Sequence, residues 1–240
     1  MALLDGLLAL YRLNQDAASD ASGNGRNLEV TGATYNTTTK KLGSAAGEFD
    51  GADDKMTSTA TGFDGLTAIT VAAWVYADTK GDYEHIIAKG NIANAIGEHS
   101  WGFIFMTGDS TAKLIWRVSN GTSEPLIESD ASFPTGQWVH IIGTWDGTTI
   151  KMYIDNVLQT ATDSLTGTMS DINDTTYPMR LGSSANVGQY FDGKLDEVAI
   201  WNREITAAER SQVFNSGTGI EIPYPTPTGG GGGGIWGLIR

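Results

Sequence analysis

The chain has 240 residues, enough for one large β domain or two small ones, and no cysteine, which excludes a disulfide framework and thiolate chemistry. With 15 basic against 28 acidic residues the net charge is −13, and no basic cluster reverses it locally, which argues against nucleic-acid binding. No run approaches the ~18 uninterrupted apolar residues of a membrane-spanning helix, so membrane insertion is not expected.

The opening segment MALLDGLLALYRL has no basic leader, and Asp5 interrupts its apolar run. It reads poorly as a signal peptide, so synthesis in the cytoplasm without export is expected. Leu7 to Leu13 reads as the first strand. Strand-like runs recur at 69–76, 85–89, 101–107, 113–119, 138–145, 150–155, 179–182 and 195–201. In the run 150–155, Ile150, Met152 and Ile154 share one face, and Lys151, Tyr153 and Asp155 the other. That is the period of a half-buried strand. Asn120-Gly121, Asp146-Gly147, Asp155-Asn156 and Asp192-Gly193 supply turn signals. One helix is predicted, in ITAAERSQVFNSG. Thr206 and Glu209 have capping-box spacing, and Gly217 is the expected stop. Pro223, Pro225 and Pro227 then end regular structure.

Many short strands and a single late helix predict an all-β fold, an antiparallel two-sheet β-sandwich of jelly-roll type with one short C-terminal helix. The domain is expected to span 1–222, with a tether over 223–240. There, Gly229 to Gly234 form a cord that buries no side chain and does not fold alone. It carries Ile235, Trp236, Leu238 and Ile239, an apolar peptide suited to docking in a groove on a neighbouring subunit.

Several constellations offer chemistry. The loop DASGNGRN combines a carboxylate, amides and permissive glycines, the oxygen donors that Ca²⁺ takes. Asp20 and Asn24 are candidate metal ligands, against an Asx turn closed by its own hydrogen bonds. Asp50, Asp53 and Asp54 read as solvated turn charge. Trp74, Trp138, Trp145 and Trp201 read as core. Trp101 and Trp116, with Tyr83 and Tyr190 in adjoining segments, are candidates for a platform on which a sugar ring stacks. His140, in an alternating strand, reads as a satisfied sheet histidine. Glu84-His85 and Glu98-His99 lack the HExxH spacing of a zinc protease. No nucleophile elbow is present. Asp196 and Glu197 are adjacent and so predicted to point to opposite faces, unlike the paired carboxyls of a retaining glycosidase. No enzymatic activity is expected.

DASGNGRNL (20–28), AGEFDGADDKM (46–56), ITVAAWVY (69–76), PTGQWVHIIGTWDGTTIKMYIDNVLQ (134–159) and FDGKLDEVAIWNREITAAE (191–209) stand in a familiar order. Over residues 3–216 the chain resembles the laminin-G-like, concanavalin A-like jelly-roll superfamily, related to pentraxins. The resemblance implies two sheets packed face to face, with the first and last strands adjacent. It also implies that the 20–28 loop lies against the last long strand, where Asp196 adds a third ligand to a structural Ca²⁺. It does not fix one function, because such domains bind glycans or proteins, pad adhesins and sit on virus particles. Together with the tail and the missing leader, it points to a non-enzymatic structural and binding protein of a large assembly. The favoured form is a phage-like virion surface protein, a decoration, fibre or adhesion domain attached to capsid or tail proteins through its tail. The alternative is a carbohydrate-binding module of an extracellular or cell-surface protein with a glycan ligand. A glycoside hydrolase stands third.

Overall fold

A computed structural model describes residues 3–14, 18–91, 98–106, 112–160, 169–185 and 189–222. The proposed tether and docking peptide over 223–240, with Ile235, Trp236, Leu238 and Ile239, lie outside the described residues. Among the described residues, fifteen strands form two antiparallel sheets, followed by one α-helix.

In chain order the strands are β1 (Leu7–Tyr11), β2 (Glu29–Thr31), β3 (Thr34–Asn36), β4 (Ala46–Asp50), β5 (Lys55–Ser58), β6 (Ile69–Ala77), β7 (His85–Gly90) and β8 (His99–Met106). They continue with β9 (Lys113–Val118), β10 (Leu126–Glu128), β11 (Trp138–Trp145), β12 (Ile150–Ile154), β13 (Val157–Leu158), β14 (Met179–Leu181) and β15 (Asp192–Trp201). The first sheet runs β13-β12-β11-β6-β15-β4-β3. Strand β15 is long enough to hold two partners on one edge: β4 against Asp192–Leu195 and β1 against Val198–Trp201. First and last strands are therefore adjacent, as the resemblance implies. The second sheet runs β10-β9-β8-β7-β14-β5-β2.

The core lies between the sheets because the longer strands each turn one apolar row inward. From the first sheet come Val71, Ala73, Val75, Val139, Ile141, Met152, Leu195, Val198 and Ile200. From the second come Ile87, Trp101, Phe103, Phe105, Leu114, Trp116 and Leu181. The two layers interlock at Gly143, where an added Cβ would fall 2.3 Å from the Trp116 ring. The glycine leaves the space the indole fills, and Trp116 Nε1 donates to the Thr144 carbonyl oxygen at 3.2 Å.

The outer face of the first sheet is also buried. Leu3, Leu10, Ile142, Trp201, Ile205, Val213 and Ile222 pack there, under helix α1 (Ala207–Phe214) and the segment after it. Thr206 caps the helix as its spacing predicts: Thr206 Oγ1 accepts from Glu209 N, and Glu209 Oε2 accepts from Thr206 N. Arg203 adds a two-pronged ion pair to Glu209, which holds that carboxyl down at about 2. The helix stops at Asn215 in the left-handed region, two residues before the glycine expected to end it. Asp155 and Asn156, both at positive φ, form the tight turn between β12 and β13. Asp192-Gly193, in contrast, is no turn but the start of β15. Its glycine is needed for close approach, since a Cβ there would meet the Tyr76 carbonyl oxygen at 2.2 Å.

Candidate functional site

The concavity with the clearest binding character lies at one end of the second sheet, over the start of β14. It is a cleft of about 570 Å³ between the segment 59–64, which leaves β5, and the segment 174–178, which enters β14. Lys89, near the end of β7, forms its floor. The lysine is 4% exposed. Its ammonium contacts Asp64 Oδ2 at 2.6 Å and donates to the backbone carbonyls of Tyr177 at 2.7 Å and Thr175 at 2.8 Å. One buried charge thus ties both walls to the sheet, with enough acceptors to offset its desolvation. The walls are also braced from the core. Trp101 Nε1 donates to Phe63 O at 2.6 Å, and Ser100 Oγ donates to Asn173 O at 2.7 Å. Into this rigid frame the lining presents the half-buried Tyr177, the exposed Asp174 and the hydroxyls of Thr59, Thr61 and Thr176. Sequence reading missed the cleft, because Lys89, Asp64 and Tyr177 come from three separate segments and form no motif.

The aromatic platform expected from Trp101, Trp116, Tyr83 and Tyr190 does not form. Trp101 and Trp116 are fully buried between the sheets, with ring centroids 6.3 Å apart, and both indole N–H groups bond to backbone carbonyls. Tyr83 is 40% exposed in the turn before β7, and Tyr190 is half-buried in a bridge to His85. Trp101 serves the cleft from beneath rather than as a surface for a ligand. Trp74, Trp145 and Trp201 are core, as expected, while Trp138 is half-buried.

The expected calcium set of Asp20, Asn24 and Asp196 is not assembled either. Asp20 Oδ1 accepts from the backbone N–H groups of Leu10 and Ser22, and its Oδ2 accepts from that of Arg26, at 2.8–3.0 Å. Asn24 Nδ2 donates to the carbonyls of Leu7 and Leu8. The loop is an Asx turn that closes on the edge of β1. Asp196 Oδ2 instead accepts from the N–H groups of Lys41 and Leu42. Asp20 spends both oxygens on backbone donors of its own loop and of β1, while Asp196 spends Oδ2 on a different segment and leaves Oδ1 without a partner among the described residues, so the three residues are not gathered into one Ca²⁺ donor set. Among the described residues, Asp50, Asp53 and Asp54 do bring carboxylate oxygens within 4.8 Å of one another. Asp50 and Asp53 are exposed turn charge as predicted, but Asp54 is buried and bonds to Asp50 N. Burial first, and then the neighbouring carboxylates, push Asp54 up.

Four buried polar residues depart from what the sequence suggests. A register shift between Asp196 and Ala199 breaks the alternation of β15, with Glu197 in the left-handed region. Leu195 and Val198 both stay in the core, and Glu197 Oε2 meets Ile222 N at 3.4 Å beyond the outer face. Adjacent acids that alternation predicts on opposite faces are therefore neighbours. Burial, reinforced for Glu197 by the charge of Asp196, pushes Asp196 up to about 7 and Glu197 to about 8. His140 is wedged against Trp74 and Phe214, with centroids 4.8 and 5.9 Å away, and its Nδ1 has no hydrogen-bond partner among the described residues. His85 is fully buried, with neither ring nitrogen bonded among the described residues. Burial pulls both imidazoles down to about 3.

A two-sheet jelly roll with first and last strands paired and a cleft at one sheet end is a lectin-type architecture. The family description "Concanavalin A-like lectin/glucanases superfamily" matches residues 50–209, more than half of the chain, and the protein belongs to that superfamily. No curated protein matches the sequence. Among solved structures, the binding domain of Paraclostridial Mosquitocidal Protein 1 is similar over 89% of this chain and 53% of its own, with 18% identity and a TM-score of 0.68. Domain 4 of AbnA, an extracellular arabinanase from Geobacillus stearothermophilus solved with arabinotriose, matches over 89% of this chain and 98% of its own. Identity is 18% and the TM-score 0.62. The ligand-binding domain of botulinum neurotoxin serotype D, solved with N-acetylneuraminic acid, matches over 88% and 51%, with 15% identity and a TM-score of 0.65. The chain spans about half the length of the two toxin domains. At these identities the likeness concerns the fold.

Proposed function

We propose that the protein is a non-enzymatic, lectin-like binding domain that takes a saccharide in the cleft over Lys89. The cleft carries the reading. A half-buried tyrosine ring beside carboxylates and hydroxyls, held on a rigid frame, suits a ligand with an apolar ring face and a polar rim. The arabinotriose and N-acetylneuraminic acid held by two structural neighbours support it.

Hydrolysis fits less well. A glycosidase needs one carboxyl with a raised pKa facing the bond it cleaves. Here Asp196 and Glu197 are raised, but both are buried away from the cleft and held by backbone amides. Asp64, which lines the cleft, is ion-paired to Lys89.

Calorimetric titration with a panel of oligosaccharides tests the reading. Saturable binding, weakened at least tenfold by Tyr177→Ala, is expected, with no new reducing ends. A protein that binds no saccharide, or whose binding ignores Tyr177→Ala, would end it. Attachment to neighbouring subunits of a phage-like particle through Ile235, Trp236, Leu238 and Ile239 rests on sequence alone. Light scattering of the chain with and without residues 229–240 tests that part, and identical monomers would remove it.

A further inference from the structure

The charge at the cleft narrows the ligand class. Among the described residues, Lys89 is the only lysine, arginine or histidine in its lining. An ammonium has three protons, and those of Lys89 face Asp64 Oδ2, Thr175 O and Tyr177 O, with Thr175 Oγ1 a fourth acceptor at 3.2 Å. All are committed to the walls. Moving the ammonium toward a ligand would strand the Asp64 carboxylate and two carbonyls, and would loosen the frame that makes the cleft. No uncommitted cationic donor is left in the lining for a sugar carboxylate, sulfate or phosphate, groups that proteins hold with free arginine or lysine; Arg26, beside Gly62 but outside the lining, spends Nε and Nη1 on the Thr61 and Leu8 carbonyls. The other ionic group in the lining is Asp174, which is exposed and forms no ion pair among the described residues. The field at the cleft is therefore set by an unpaired carboxylate within a chain of net charge −13.

We infer that the cleft selects non-acidic saccharides, neutral or aminated, and rejects acidic ones, with Asp174 as the residue that sets this preference. The inference rests on the cleft being the saccharide site. Hydroxyls of a neutral sugar donate to Asp174 and exchange hydrogen bonds with the threonines, while an acidic sugar meets like charge and no compensating donor.

The test titrates the full chain at 20 mM and 150 mM NaCl with neutral oligosaccharides (arabinotriose, N-acetylchitotriose), a chitosan trisaccharide, 3′-sialyllactose and trigalacturonate. Expected are binding of one or more neutral or aminated members and at least tenfold weaker binding of both acidic ones. Asp174→Asn narrows that gap. Asp174→Lys gives measurable affinity for an acidic member that weakens with salt. Asp174 is exposed, so both variants are expected to fold, and their melting temperatures check this. Binding of 3′-sialyllactose or trigalacturonate as tight as the neutral sugars, and lost in Tyr177→Ala, overturns the inference and leaves the saccharide reading standing. A preference for neutral sugars that Asp174→Lys leaves unchanged also overturns the role of Asp174. Binding of no member fails both readings together.

Discussion

A carboxylate that accepts three backbone N–H groups has a structural task of its own, and Asp20 illustrates its weight. It closes a turn, pins that turn to Leu10 on β1, and is nine-tenths buried. Hydrogen bonds to a charged acceptor contribute about 1.5–3 kcal/mol each, with strong non-additivity when one group makes several. Asp20→Ala is expected to destabilise the domain by about 2–4 kcal/mol. In a domain of this size that lowers the melting temperature by about 5–15 °C. The loss should be the same in millimolar calcium and in chelator. A calcium-dependent difference between wild type and variant would return the loop to the metal reading.

At the scale of elements, the sandwich depends on complementarity between its layers, and Gly143 with Trp116 is its tightest test. Gly143→Ala drives a methyl into the indole and is expected to cost about 1–3 kcal/mol by overpacking. Trp116→Phe leaves room for that methyl, so urea unfolding of the double variant should show a smaller loss than the two single losses added. Strict additivity would mean that the clash is relieved elsewhere. This pairing was not legible in the sequence, although both strands were. All nine expected strands are present, with ends within three residues, because each has a continuous apolar run or clean alternation. Six short strands escaped notice: β2, β3, β10 and β13 are mostly exposed or half-buried, so that pairing alone makes them strands, and β4 and β5 are too short, on either side of an acidic turn, to show a period. Trp101 was misjudged for a related reason. In β8 the residues alternating with Trp101, Phe103 and Phe105 include Ile104 and Met106, so both faces are apolar and the pattern does not say which one turns inward. The capping box was readable because its chemistry is local. The cleft was not, because Lys89 meets Asp64 and Tyr177 only after the sheet has formed.

The buried ionisable groups act on the whole molecule through the pH dependence of its stability. Asp196, Glu197 and Glu84 are raised to about 7, 8 and 7, chiefly by burial. The folded state holds their protons more tightly than the unfolded chain does, so their contribution is fully present below the ordinary values of 3.8 and 4.5. It is lost as pH climbs through 7 to 8. His85 and His140 act with the opposite sign. Held neutral down to about 3, they leave the unfolded chain to gain protons first, so stability present above 6.5 is lost as pH falls. Glu209, lowered to about 2 by Arg203, adds to that acid limb below 4.5. Between 4.5 and 6.5 carboxyls and histidines oppose each other; outside this interval one set acts alone. The melting temperature is therefore expected to peak between about pH 4.5 and 6.5, more acidic than neutral, and to fall on both sides. Self-repulsion of a chain at −13 steepens the alkaline side. Calorimetric scans from pH 3 to 9 read the curve directly. Glu197→Gln should raise the melting temperature by a few degrees at pH 8 and little at pH 5, and His85→Leu should do so at pH 4 more than at pH 8. A curve that climbs steadily from pH 5 to 8 in the wild type would mean that the carboxyls on β15 are ionised in the fold at little cost, and that the bulge holding Asp196 against Lys41 and Leu42 and Glu197 against Ile222 admits water.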